Sequence, residues 1–121
     1  MNIDLPPTFD WAVEQFNQGD FYGCHDTLEG LWMEATPELC NFYQGILQIA
    51  VACYHLGNGN RRGAMLLLGE GISRLRAYPE DFGGVGVTSL VSQSRTLLDH
   101  LRQVDLADLG SLTLPTVTQV R

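Results

Sequence analysis

The feature that most constrains the fold of this chain is a run from Leu39 to Asn60 in which no side chain carries a formal charge. Drawn as a helix, LCNFYQGILQIAVACYHLG is apolar on nearly every side, and a helix without a polar face belongs in the interior of a protein. Its polar side chains are too numerous for an isolated membrane span: Asn41, Gln44, Gln48 and His55. We therefore predict a buried central helix over residues 37–56 and no membrane association.

The spacing of apolar residues predicts further helices, the first over about residues 9–17, and the residues at their ends support these limits. Asp20 and Asn60 are suited to accept hydrogen bonds from the free backbone N–H groups that begin the second and fourth helices. Thr36 and Pro37 separate the second helix from the third, and Thr88 is expected to cap the fifth, after the glycine-rich loop DFGGVGV. We therefore predict an all-α fold, a small bundle of about five helices around the central one.

Length and composition indicate one folded unit. The chain has 121 residues, of which 45% are hydrophobic and 17% are charged, and this is typical of a globular domain with its own core. We expect a single helical domain over residues 1–121. Residues 105–121, which end in LTLPTVTQVR, are predicted to form an extended arm or tail.

Charge and cysteine content exclude several classes of function. Seven basic residues stand against 14 acidic ones, and a net charge of −7 disfavours nucleic acid and anionic membrane surfaces as partners. Every basic residue is Arg, so chemistry that needs a Schiff-base lysine or a phosphate-loop lysine is excluded. Three cysteines without a C-x-x-C pair, and an N-terminus without the pattern of a secretory signal, predict a cytoplasmic protein with reduced thiols.

A polar pair interrupts the apolar stripe of the second helix. His25 and Glu29 are one helical turn apart on the side expected to face the core. On the third helix, Gln44, Gln48 and His55 fall within about 40° of one another around the axis. An unpaired buried polar group costs about 1–3 kcal/mol, so these groups are expected to have partners.

A hairpin of the second and third helices would supply those partners. If the hairpin turns about Thr36, the pair on the second helix lies level with Gln44 and next to Gln48. We therefore expect a buried network of His25, Glu29, Gln44 and Gln48. His55 lies about 10 Å beyond Gln48 along the axis of the third helix, near the turn that ends at Asn60.

Several motifs in a fixed order resemble those of a known family. They are FYxxHDxLExxW, FYQGxxQxA, a histidine and GNxxGA, which begin at residues 21, 42, 55 and 59 and lie within a segment of about residues 19–78. This pattern resembles the domain of unknown function 309 family, small helical microbial proteins that are sometimes labelled predicted metal-dependent hydrolases. By that resemblance, the positions that carry the family pattern are His25, Glu29, Trp32, Gln44, Gln48, His55 and Asn60. The chain departs from the family at Asp26, where Glu is usual, and at Met33, where a basic residue is usual.

The polar cluster has three interpretations. It could be structural and fix the pairing of two helices, or it could line a small-molecule pocket. Alternatively, His25 and Glu29 bind a divalent metal ion in a hydrolase, and His55 is the candidate for the third ligand that a catalytic metal needs. If the protein is an enzyme, Glu29 is the expected general base, and His25 orients it or holds the metal.

Two further features bear on partners. Asn60 and Arg61 begin the fourth helix, where free backbone N–H groups and a positive charge favour a small anionic ligand. Gly23, Thr27 and Gly30 give the second helix a face of small residues, which predicts the close approach of another helix. That helix could come from a second subunit in a homodimer.

Overall fold

The computed structural model of this protein describes residues 4–103 and 112–120. Within these ranges it confirms the predicted all-α class, because helices dominate and the sheet has only two short strands. The elements are α1 Pro7–Asn17, α2 Phe21–Met33, α3 Pro37–Gly57, α4 Arg61–Leu75, β1 Asp81–Phe82, β2 Val85–Gly86 and α5 Val87–Leu101. None of the helices described in these ranges is long and apolar enough to cross a membrane.

The core forms where α3 meets the other elements. Phe42 of α3 has ring contacts with Phe9 of α1, with Tyr78 after α4 and with Phe82 of β1. α3 also packs along both α2 and α4, and α5 packs against α4. One continuous cluster of buried apolar side chains therefore joins the five described helices, the hairpin and Val117 of the C-terminal segment.

The structure corrects the prediction that α3 is buried on all sides. Phe42, Ile46 and Ile49 are buried, but Tyr54 is 41% exposed. A strip of half-buried side chains runs along the same helix: Gln44, Leu47, Val51 and His55. The apolar pattern did not reveal this strip, because Leu and Val occupy half-buried positions on it.

The glycine-rich segment after α4 is a hairpin and not the predicted loop. Phe82 pairs with Val85 across a turn at Gly83 and Gly84, which have φ angles of 60° and 76°. Two consecutive positive φ angles are what a two-residue type I′ turn requires, and glycine adopts them without strain. The Gly-Gly pair between Phe and Val was the sequence signal for this hairpin.

Helix ends follow the predicted caps in part. The side chains of Asp20 and Asn60 accept hydrogen bonds from the N–H groups of Gly23 and Gly63, at 3.0 and 2.9 Å. The side chain of Thr36 makes no capping hydrogen bond, and α5 begins at Val87, one residue before the expected cap.

The C-terminal segment 112–120 contains no helix and pairs with the hairpin. Thr118 O accepts from Gly86 N at 2.8 Å, and Val120 N donates to Gly84 O at 2.7 Å. Of the predicted arm over residues 105–121, residues 105–111 and 121 lie outside the described part of the chain.

Candidate functional site

A groove with a volume of about 310 Å³ lies where α2, α3 and α4 meet. It exposes part of the half-buried strip of α3 to solvent. Its lining comes from all three helices: His25, Glu29, Trp32, Gln44, Leu47, Gln48, Val51 and Leu67. Five of the seven positions predicted from the sequence therefore come together, and His55 and Asn60 do not line this groove.

The α2 side of the groove carries an imidazole between two carboxylates. His25 Nε2 lies 3.5 Å from Glu29 Oε2, and His25 Nδ1 lies 3.2 Å from Asp26 Oδ1. The His25 and Glu29 side chains are 31% and 48% exposed. The one-turn spacing gave the pairing correctly, but the prediction that this pair is buried away from solvent is wrong.

The buried amide of Gln48 finds its partners on α4 and not on α2. Gln48 Nε2 donates to Glu70 Oε2 at 3.0 Å, and Gln48 Oε1 accepts from Arg74 Nε at 3.1 Å. The Arg74 guanidinium also donates to Asn41 Oδ1 at 2.6 Å, and Asn41 donates to the Tyr78 hydroxyl at 3.2 Å. The predicted network of His25, Glu29, Gln44 and Gln48 is therefore wrong in its connections.

Close contact between α3 and α4 explains this difference. A Cβ atom added at Gly71 would lie 2.9 Å from the carbonyl oxygen of Gly45. A Cβ atom added at Gly45 would lie 2.7 Å from Leu75 Cγ. Two glycines thus bring the backbones together and place Glu70 and Arg74 within reach of the α3 amides. The sequence pattern predicted a pairing of α3 with α2 alone, and neither charged residue of α4 was expected at this site.

The predicted small-residue face of α2 meets another helix, α1, at Gly23 and Thr27. Thr27 Oγ1 donates to Gln15 Oε1 at 2.6 Å, which ties α2 to α1. A Cβ atom at Gly23 would meet the side chains of Asp20 and Gln15, whereas Gly30 has open space around it. Gly23 and Thr27 therefore lie against α1, whereas Gly30 does not, and these contacts do not test the predicted homodimer.

Gln44 and Trp32 complete the groove. No hydrogen bond is described for the Gln44 amide within the residues that the structure covers, and its polar atoms are not sealed from solvent. The Trp32 indole is half-buried and packs against the core, while the Trp32 carbonyl accepts a hydrogen bond from the Cys40 thiol at 3.1 Å. The groove therefore combines a half-buried aromatic ring with an amide that is available to a ligand.

His55 lies in the last turn of α3, near the turn into α4, as the sequence predicts. Its Nδ1 lies 3.5 Å from the side-chain nitrogen of Asn60. The side-chain oxygen of the same Asn60 caps α4. His55 therefore does not join His25 and Glu29. Over residues 4–103 and 112–120, His, Cys, Asp and Glu side chains form no group of three or more that could hold a metal ion.

Two exposed tyrosines extend the surface beside the groove, and the sequence analysis assigned them no role there. The Tyr22 ring lies 5.7 Å from the Tyr54 ring and 6.3 Å from the His25 ring. Tyr22 is 60% exposed. Tyr22 precedes His25 by about one turn of α2, so the two rings lie on the same face of that helix. This spacing was the sequence signal for the aromatic surface.

Fold and groove together define a small helical-bundle protein with a mixed apolar and polar groove on its surface. Residues 9–67 match the family described as "Domain of unknown function (DUF309)". The resemblance predicted from the motifs is confirmed, and this segment, which holds every predicted site residue, belongs to that family.

Two relatives are longer than this chain. The uncharacterized protein YpuF of Bacillus subtilis (strain 168) is 36% identical over 98 residues, which are 80% of this chain and 50% of YpuF. An uncharacterized protein of Aquifex aeolicus (strain VF5) is 26% identical over 77 residues, which are 63% of this chain and 23% of that protein. The chain thus spans half of the first relative and about a quarter of the second.

Proposed function

We propose that this is a ligand-binding protein whose groove takes a small organic molecule with an apolar body and a polar head. The groove carries the proposal, because it brings apolar walls and accessible polar groups together in about 310 Å³. Ligand sites of about 300–1,000 Å³ are typical of proteins, so this one suits a small ligand.

The lining separates into two kinds of surface. Trp32, Leu47, Val51 and Leu67 offer apolar contact. The head of a ligand would meet Glu29 and Gln44, whereas Gln48 is already held by Glu70 and Arg74. Because apolar contact supplies affinity and a few polar groups fix orientation, this division is that of a binding site.

Filling the groove tests the proposal. Val51→Trp places an indole in the groove. The control, Leu66→Trp, adds the same group on α4 next to Leu67, at a position that is 65% exposed and outside the lining. We expect a thermal-shift screen of small metabolites to find compounds that raise the melting temperature of the native protein by several degrees. A ligand at 100 times its Kd raises the free energy of unfolding by about 2.7 kcal/mol. The shift should persist in Leu66→Trp and vanish in Val51→Trp. Equal shifts in the two variants, or no shift with any compound, would reject the groove as the site.

The family label's alternative, a metal-dependent hydrolase, fits these residues poorly. Catalytic zinc sites use three protein ligands, and His25 and Glu29 supply two. These two residues alone do not make the ligand set of a hydrolytic zinc site. Elemental analysis of purified protein tests this directly: stoichiometric divalent metal that disappears in His25→Ala would contradict our preference for binding without a metal.

Three sequence predictions stay predictions. They are an anionic ligand beside Asn60 and Arg61, a homodimer, and a cytoplasmic location. For the first, the Asn60 side chain already accepts the N–H of Gly63, so part of the donor capacity at the start of α4 is used within the chain.

A further inference from the structure

We infer that the groove is selective for organic cations, namely a protonated amine on a small aromatic or branched apolar body. This inference rests on the proposed function and names the ligand class for the same site. It follows from the sign of the charges at the groove, from the polar atoms left free in it and from the position of its aromatic ring.

The charges at the groove are negative for either state of the imidazole. Glu29 lines the groove, and Asp26 lies 3.2 Å from the other side of the His25 ring. If His25 is neutral, these three side chains sum to −2, and if it is protonated they sum to −1. Among the described residues no arginine lines the groove, and the chain contains no lysine.

The nearby charges of α4 do not reverse this sign. Gln48 lies between Glu70 and Arg74. The Glu70 carboxylate accepts a hydrogen bond from the amide nitrogen of Gln48, and Arg74 donates one to its amide oxygen. The Arg74 guanidinium is also bonded to Asn41. Because the two α4 charges are opposite and share one amide, together they add no net charge beside the groove, and Glu29 is the carboxylate in its lining.

The free polar atoms and the ring match an ammonium group. The carboxylate of Glu29 and the amide oxygen of Gln44 are acceptors for its N–H donors. The Trp32 indole and Leu47 can cover the apolar body, and the face of an indole also attracts cations. A carboxylate ligand would instead face Glu29 and Asp26 with the same sign of charge. The net charge of −7 on the whole chain also favours encounter with cations.

Three probes with one apolar body test the inference: phenethylamine, 2-phenylethanol and 3-phenylpropionate. Binding to the native protein is measured by titration with NMR detection at pH 8 and low salt, because salt screens the attraction between exposed charges. We expect phenethylamine to bind about fivefold more tightly than 2-phenylethanol, as for a partly exposed charge pair, and 3-phenylpropionate to bind most weakly.

Charge variants then locate the effect. Glu29→Gln removes the groove carboxylate and keeps its shape, and it should reduce phenethylamine to the affinity of the alcohol. Glu34→Gln makes the same change at an exposed position outside the lining and should leave the fivefold preference in place. Circular dichroism checks that both variants keep the helical fold.

The outcomes separate the ligand class from the binding function. Equal affinity for the amine and the alcohol, or tighter binding of the propionate, overturns the cation inference and leaves the groove as a binding site. An amine preference that survives Glu29→Gln also overturns it. If none of the three probes binds, the cation inference is rejected, and the comparison of Val51→Trp with Leu66→Trp decides the binding function by itself.

Discussion

The thiols of Cys24 and Cys53 are buried, and burial governs their acid–base chemistry. Loss of hydration raises the pKa of the Cys24 thiol from 9.0 to about 12, and the negative charges of Asp20 and ionised Cys53 add to this shift. Burial also raises the pKa of Cys53 from 9.0 to about 12. Both groups are therefore protonated across the neutral range and behave as small apolar core residues.

These shifts predict a loss of stability at alkaline pH. The folded pKa lies above the unfolded value, so the stabilising contribution is complete below pH 9 and is lost as the pH rises toward 12. Over that range the free energy of unfolding should fall by about 1.4 kcal/mol per pH unit for each thiol. Urea unfolding at pH 8, 9.5 and 10.5 measures this slope.

Cysteine variants provide the control. The double variant Cys24→Ala/Cys53→Ala should show a shallower slope, even though its stability at pH 8 is lower. Cys40→Ala, at a half-buried position, should keep the native slope. Tyr43, whose pKa is also raised by burial, leaves a residual slope in all three proteins. An unchanged slope in the double variant would contradict the assignment to the thiols.

At the scale of single residues, the sequence predicted which side chains line the groove better than it predicted their exposure and their hydrogen-bond partners. The spacing of His25 and Glu29 put them on one face of α2, and that geometry is fixed by the helix itself. Their exposure depends on how α2, α3 and α4 pack around the groove, which no local pattern contains. Similarly, the need of Gln48 for partners was predictable, but not that Glu70 and Arg74 supply them.

At the scale of elements, the contact of α3 with α4 depends on Gly71. Alanine at this position would place Cβ 2.7 Å from Ile49 Cγ1 and 2.9 Å from the Gly45 carbonyl oxygen. Neither atom has free space to move, since one is backbone and the other belongs to a fully buried side chain. We expect Gly71→Ala to lower the free energy of unfolding by about 2 kcal/mol, despite the helix propensity of alanine.

Gly69 is the matched control on the same helix. A Cβ atom there has nothing within 4 Å, so Gly69→Ala should raise the free energy of unfolding by about 0.5–1 kcal/mol. Urea denaturation of both variants decides the matter. If Gly71→Ala were as stable as Gly69→Ala, the two helices would not be in close backbone contact.

Elements differed in how well the sequence predicted them. The helices were predictable because each repeats an apolar stripe over at least 11 residues and because Asp20 and Asn60 mark two of their starts. The hairpin was missed because each of its strands has only 2 residues, too few to show alternation. Its only local signal was the Gly83-Gly84 pair, which also fits an irregular loop.

At the scale of the whole molecule, the C-terminal segment 112–120 connects parts that are distant in the sequence. Gln93 of α5 exchanges two hydrogen bonds with the backbone of Thr116, at 3.2 and 3.0 Å. Val117 is buried in the common core. Together with the pairing to the hairpin, these contacts make the segment part of the folded structure and not a free tail.

Asn17 at the end of α1 provides another of these connections, to a residue 100 positions away. Its amide nitrogen donates to Val117 O at 2.9 Å, and its amide oxygen accepts from Val117 N at 2.8 Å. Asn17→Ala would leave both backbone groups of a buried residue without partners, so the free energy of unfolding should fall by about 2 kcal/mol. Gln18→Ala is the control, because that exposed side chain bonds only to Glu14 within the described residues.

Hydrogen exchange distinguishes loss of this connection from general destabilisation. The Gly86 amide donates to Thr118 O, so its protection reports whether the segment stays docked. We expect Asn17→Ala to speed exchange at Gly86 well beyond the change at Ile49 in the middle of α3, because local release opens the segment while the helices stay packed. Gln18→Ala should leave both rates unchanged. Equal acceleration at Gly86 and Ile49 in Asn17→Ala would mean that the segment unfolds only together with the bundle, and its docking would then be as stable as the helical core itself.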